Sequence, residues 1–252
     1  MSLFPQRLTP DTGMIPHQTR KTGLLRVWQM VSRDFMGFWL SGAIQMVLTL
    51  PFFFAVGYAC ATHSILFALL AGVLGGMAAA PGFLGLADTL LRSLRDEPGL
   101  WWHRYSMAVK RGWKSSLLPG MLLGTAFSMQ YFTLSHLHLL DGGLGLFLCQ
   151  IISILLSAGL FVWYLPQQAL LELGLSAMMK NSFLLFARYL PKTLLAVVIL
   201  LAYAVFVWIS LPSSVFLLLA AGLWLPLLCA LQIIYPMLDQ AFGIEEALDR
   251  IP

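Results

Sequence analysis

Six apolar runs dominate the chain, each long enough to cross about 30 Å of hydrocarbon at roughly 1.5 Å per helical residue, and they leave it few ways to fold. They are Phe38 to Ala61, Ile65 to Leu91, Leu117 to Leu134, Leu144 to Leu165, Leu190 to Ile209 and Val215 to Tyr235. In lipid only helices and closed barrels satisfy every backbone N–H and C=O, and unbroken rather than alternating runs select helices. Hydrophobic residues make up 59% of the sequence and charged residues 10%, which excludes an ordinary soluble domain. The expected fold is all-α: an integral membrane bundle of six transmembrane helices with cytoplasmic amphipathic helices.

The basic residues orient that bundle. If both ends and the second and fourth connections share one side, that side holds all 15 Lys and Arg residues. The opposite connections, Thr62 to Ser64, Ser135 to Gly143 and Ser210 to Ser214, hold none. The positive-inside rule then places both termini in the cytoplasm. This bias and attraction to anionic head groups account for a net charge of +4, so no nucleic-acid partner is required. The longest far-side connection, "SHLHLLDGG", is too short to form a domain.

Along the chain, residues 1–22 read as a mobile polar leader with Pro5, Pro10 and Pro16, unlike a cleavable signal peptide. Residues 23–37 read as an interfacial amphipathic helix capped by Thr22, with Leu24, Val27, Trp28, Val31, Phe35 and Phe38 at helical spacing. Residues 38–236 form the transmembrane domain. Residues 237–252 form an acidic tail whose Asp239, Glu245, Glu246 and Asp249 suit pairing with the protein's own basic helices or with a partner.

"RDEPG" should end the second span. A second interfacial helix is expected after it, with Trp102, Tyr105, Val109, Gly112 and Trp113 along one side and Arg104, Lys110, Arg111 and Lys114 supplying charge. After "WYLPQQ", a similar stretch places Leu171, Leu175, Met178, Met179 and Phe183 against lipid or protein, and Lys180 and Arg188 near head groups. The candidates for lipid or partner contact are therefore Arg104, Lys110, Arg111, Lys114, Lys180 and Arg188. Each stretch leads to a Leu-Pro step, at Pro119 and Pro191, near the expected start of the next helix. The likeness suggests a parallel repeat, the second and third spans matching the fourth and fifth.

Within the spans, Ala68, Gly72, Gly76 and Ala80 form a ladder of small side chains, and Gly120 and Gly124 repeat it in the third, a pattern that lets helices approach closely. Pro81 and Gly82 offer a competing reading, a broken helix whose carbonyls line a cavity. Pro51 and Pro226 are expected to kink their helices. The uncharged polar residues are Gln45, Thr49, Gln130, Gln150, Ser153, Ser157 and Gln232. Gln150, Ser153 and Ser157 share one face, as interhelical glue or as a polar track for a small neutral solute. No charge lies in mid-span; Asp88 comes nearest and is expected at the interface or paired with Arg92.

Reactive chemistry has little to stand on. Cys60, Cys149 and Cys229 lack a C-x-x-C spacing and read as packing residues. His136, His138 and Asp141 are ligand types, but on a short exposed loop they make a poor closed metal site. The hydrolase elbow, phosphate loop, zincin helix and dinucleotide fingerprint do not occur in the sequence. No enzyme, cofactor or metal centre is expected.

The chain resembles the YesL-type family of bacterial multi-pass membrane proteins of unknown function. The resemblance is carried by "FWL" and "LTLP" in the first span, by "AAPGFLGLADTLLRSLRDEPGLWWHRYSMAVKRGWKSSLLPG" and by "LELGLSAMMKNSFLLFARYLPKTLLA". It extends from Phe38 to Ile234, with Ala80-Pro81 where many members have Gly-Pro. It implies a transport-associated role, near carbohydrate uptake, and brings no catalytic residues.

Two functions compete. An accessory or scaffolding subunit of a transporter suits the small-residue ladders and amphipathic helices. The alternative is a small-solute permease or importer transmembrane subunit. Glu172 and Gly174 precede Leu190-Pro191, but too far upstream for an importer's ATPase-docking loop.

Overall fold

The computed structural model describes residues 24–97, 100–139, 143–171, 173–210 and 213–245. Its helices are α1 (Leu24–Ala61), α2 (Ile65–Leu94), α3 (Trp101–Ser135), α4 (Gly143–Leu170), α5 (Leu175–Arg188), α6 (Leu190–Ile209), α7 (Ser214–Ala221) and α8 (Trp224–Phe242), with one 3-10 turn at Leu137–Leu139. Among the described residues, five helices, α1, α2, α4, α6 and α8, are long and apolar enough to cross a membrane. The molecule is all-helical and has the character of a multi-pass membrane protein, with five such helices where the sequence predicts six.

The third expected span accounts for that difference, and the sixth is divided. Leu117 to Leu134 lies inside α3, which also contains the stretch expected to be a separate interfacial helix. Pro119 therefore sits within this 35-residue helix rather than near a start. The basic first half of α3 and the polar Thr125, Ser128 and Gln130 of its second half reduce its apolar character. Val215 to Tyr235 is divided between α7 and α8 at Gly222, whose φ of 49° and ψ of −148° suit a residue without Cβ. Pro226 is the third residue of α8, where its missing N–H breaks no helical bond.

The helix boundaries also move elsewhere. α2 runs unbroken through Pro81 and Gly82, so no cavity-lining break occurs there. The stretch expected as an interfacial helix over residues 23–37 leads into the first span through a kink at Asp34, where the backbone leaves helical geometry (φ −114°, ψ 18°) and divides α1 into two helical segments. Pro191 occupies the first turn of α6, as its missing N–H favours. α8 carries the chain past 236 to Phe242, and Gly243 ends it in a left-handed conformation. The leader, Thr22, Asp141, Glu172 and Glu246 to Pro252 lie outside the described residues.

α1, α2 and α3 form an antiparallel layer. Gln45 and Phe52 of α1 meet Gly82 and Gly75 of α2, while Gly72, Gly76 and Gly85 of α2 meet Thr125, Gly120 and Tyr105 of α3. α4, α6 and α8 close over this layer around Phe38, Leu86, Leu90, Trp163, Leu228 and Ile234, all fully buried. Large apolar side chains such as Phe53, Phe54, Ile152 and Phe206 stay exposed on the outer helix faces. That is the surface expected of helices whose solvent is lipid.

Candidate functional site

The small-residue ladders come together. A Cβ built on Gly76 would collide with the Gly120 carbonyl, and one on Gly124 would lie 2.5 Å from the Gly76 Cα. Ala80 meets Gly120, and Ala68 joins the seam where its carbonyl accepts the Ser128 hydroxyl at 2.6 Å. Backbones this close gain dispersion energy that larger residues would forfeit.

Gln150, Ser153 and Ser157 gather around Gln130, which reaches across from α3. The Gln130 amide donates to the Ser153 hydroxyl at 2.9 Å, the Ser153 carbonyl at 3.0 Å and the Ser157 hydroxyl at 2.8 Å. In return Gln150 donates to the Gln130 carbonyl at 2.8 Å. Gln130, Gln150 and Ser157 are buried, whereas Ser153 lies at the exposed edge. The polar groups of this seam are hydrogen-bonded to one another across two helices.

The basic end of the layer holds a network linking residues far apart in sequence. α2 ends with Asp96 in the left-handed region (φ 59°), and the Glu97 N–H reaches back to the Arg92 carbonyl at 3.0 Å. From that position the Asp96 carboxylate accepts Arg26 at 2.7 Å and also pairs with Arg33, both from the start of α1. Arg26, 7% exposed, also donates to the Leu94 carbonyl at 2.9 Å, and Arg33 to the Ser93 carbonyl at 2.8 Å. Burial alone would raise the Asp96 carboxyl, but hydrogen bonds from Arg26 and Arg33 and their charges outweigh it and hold the group below the usual carboxylate range.

Beside this network Asp88, 1% exposed, pairs with Arg92 at 2.8 Å and lies 3.9 Å from Arg111 of α3. Arg92 also pairs with Glu97 at 2.8 Å. Arg111 reaches the Ala169 carbonyl at the end of α4 at 3.3 Å, and Arg104 donates to the Glu97 carbonyl at 2.9 Å. Of the expected contact residues, Lys110, Arg111, Lys114, Lys180 and Arg188 are exposed. The Lys114 ammonium lies 5.5 Å from the Trp113 ring, and the Arg188 guanidinium 5.3 Å from the Tyr189 ring. Exposed Trp28, Trp102 and Trp113 complete an aromatic and basic collar at this end.

The opposite end has imidazoles instead. α1 ends with His63 in the left-handed region (φ 51°), and its Nδ1 lies 2.7 Å from Nε2 of His136 at the end of α3. His136 therefore meets His63; Asp141, the third residue of the expected ligand types, lies outside the described residues. Among the described residues no set of three His, Cys, Asp or Glu side chains is placed to hold a metal ion.

Sequence reading missed His63, Asp96 and the central role of Gln130. The first two carry a local signal, a polar residue directly after a helix in the position glycine ordinarily takes. Gln130 offered only its amide in an apolar run. Comparison with protein-family models, with curated proteins and with solved structures finds no match.

Proposed function

We propose that this chain is a scaffolding or accessory membrane subunit, associated with a transporter and seated in a bacterial inner membrane. The observation that carries the reading is the Gln130 seam: the polar side chains that could have formed a solute track are engaged with one another between α3 and α4. The exposed collar of Trp102, Trp113, Lys110 and Lys114 supplies a surface for head groups and a neighbouring subunit. Association with carbohydrate uptake rests on the YesL-type resemblance alone.

The same reading includes six crossings. α3 lies antiparallel along α2 from Tyr105 beside Gly85 to Ser128 beside Ala68, so a membrane crossed by α2 is crossed by α3 as well. With α1, α4, α6 and α8 this returns the chain to its starting side, with the basic end cytoplasmic. In a chain stripped of Cys60, Cys149 and Cys229, single cysteines at Lys114 and His138 should react with an impermeant thiol reagent from opposite sides. Labelling of both from one side would overturn this topology.

The functional test is purification of the tagged chain from its native membrane in mild detergent. Recovery of a second membrane protein in near-equal amount, lost when Trp102, Lys110 and Lys114 are replaced by alanine, is the expected result. Recovery of the chain alone, together with solute flux in liposomes, would overturn it in favour of a permease.

A further inference from the structure

We propose that His63 and His136 form a proton-binding clasp at the end of the bundle opposite the basic collar. The first proton tightens the α1–α2 turn onto the end of α3, and the second releases it.

The acceptors around the pair indicate where the protons sit. His136 Nδ1 lies 2.8 Å from the Phe132 carbonyl, which only accepts, so Nδ1 carries a hydrogen. In the neutral ring Nε2 is then a bare acceptor, and the proton in the 2.7 Å contact belongs to His63 Nδ1. That leaves His63 Nε2 as the basic atom of the pair, on an exposed residue, whereas His136 is buried. A proton added at His63 Nε2 makes an imidazolium that still donates from Nδ1, and charge-assisted hydrogen bonds are roughly twice as strong as neutral ones. A proton added at His136 Nε2 puts two donors face to face and breaks the contact.

Two further observations support a built device. His63 holds a left-handed conformation that disfavours a residue with a Cβ, and from this position its ring meets His136. The His136 ring is braced on its other side by stacking on Phe132 and by Ser135, whose hydroxyl lies 2.9 Å from Nδ1 and donates to Cys60 Sγ at 3.3 Å. The clasp therefore ties the end of α1 to the end of α3 through both rings and the Ser135–Cys60 contact.

Cys60 of α1 is the titratable side chain tied to the pair, through the Ser135 hydroxyl, and Tyr131 of α3 lies within electrostatic reach of Cys60. Among the described residues of this end there is no Lys, Arg, Asp or Glu. Asp141 lies outside them. Imidazole is the side chain that ordinarily changes charge between about pH 5 and 8, so the device would answer to the medium on that side of the membrane.

The test is histidine-ring nitrogen NMR with amide hydrogen exchange on the full chain in nanodiscs, with a chelator present, across about pH 8 to 4. The expected result is uptake of the first proton at His63 Nε2, with protection of the Thr62, His63 and Ser64 amides rising about fivefold, followed by loss of that protection when His136 is protonated. His63→Gly keeps the left-handed turn without strain and should abolish the response, as should His136→Phe, which retains the stacking. Protonation of both rings in one step with unchanged protection would overturn the proposal, as would a response that persists in both variants.

Discussion

The two ends of the α1–α2–α3 layer solve one problem with different chemistry. At each, a helix stops in a left-handed residue that is not glycine, and that residue's side chain grips the neighbouring helix: Asp96 holds α1, and His63 holds α3. Asp96 meets two guanidinium groups that stay charged at any physiological pH, so its grip is permanent. His63 meets another imidazole, so its grip depends on how many protons the pair holds. One turn motif thus gives a fixed anchor at the basic end and an adjustable one opposite, and the side chain at a single position makes the difference.

Removing the anchor should have the largest effect. Asp96→Ala leaves the buried Arg26 without its carboxylate, and unfolding of the full chain by SDS in mixed micelles should show a loss of about 3 kcal/mol. Asp96→Asn, which tolerates the left-handed backbone, should lose less; equal losses would mean that the turn, not the charge, anchors this end. The seam joining the ends comes next. Gly124→Ala forces a Cβ against the Gly76 Cα and should cost about 2 kcal/mol, while Gly145→Ala, with nothing within 4 Å, should cost nothing measurable.

Gln130→Leu should cost about 1 kcal/mol in the same assay, because interhelical polar contacts in membranes are individually modest. A loss several times larger would mean that the seam, rather than the ends, fixes the layer. The smallest effect is on pH. Because Asp96 has a folded pKa below its ordinary 3.8, its contribution is fully present above that value and disappears only as pH falls through the lower folded value. Amide protection around Arg95 and Glu97 should hold to about pH 4 and fall below it, a change that the His63–His136 contact, which contains no carboxylate, should not share. Parallel responses at the two ends would remove the contrast.

What could be read in the sequence was what repeats locally. The apolar runs set the long helices, "RDEPG" marked the end of α2, Asp88 found Arg92 one turn away, and the facing ladders at Gly72, Gly76, Gly120 and Gly124 needed only a hairpin to meet. The pairings of Arg26 and Arg33 with Asp96 and of His63 with His136 join residues too far apart for periodicity to register. The unity of α3 was obscured for another reason. Its first half is basic and its second apolar, a change in composition that signals a change of surroundings, not of backbone. Pro81 and Gly222 show the limit of reading breakers alone: packing carries α2 through the first, while the positive φ of the second stops α7.

The interruption at Gly222 also bears on how the two ends of the chain depend on each other. α7 leaves carbonyls that its own helix does not satisfy, and the donors come from elsewhere: the Trp39 indole reaches the Leu219 carbonyl at 2.7 Å, and the Tyr203 hydroxyl reaches the Gly222 carbonyl at 2.7 Å. In hydrocarbon no water substitutes for them. The break between α7 and α8 is therefore completed by donors from α1 and α6, so this segment draws its backbone satisfaction from the bundle and is not a self-sufficient span.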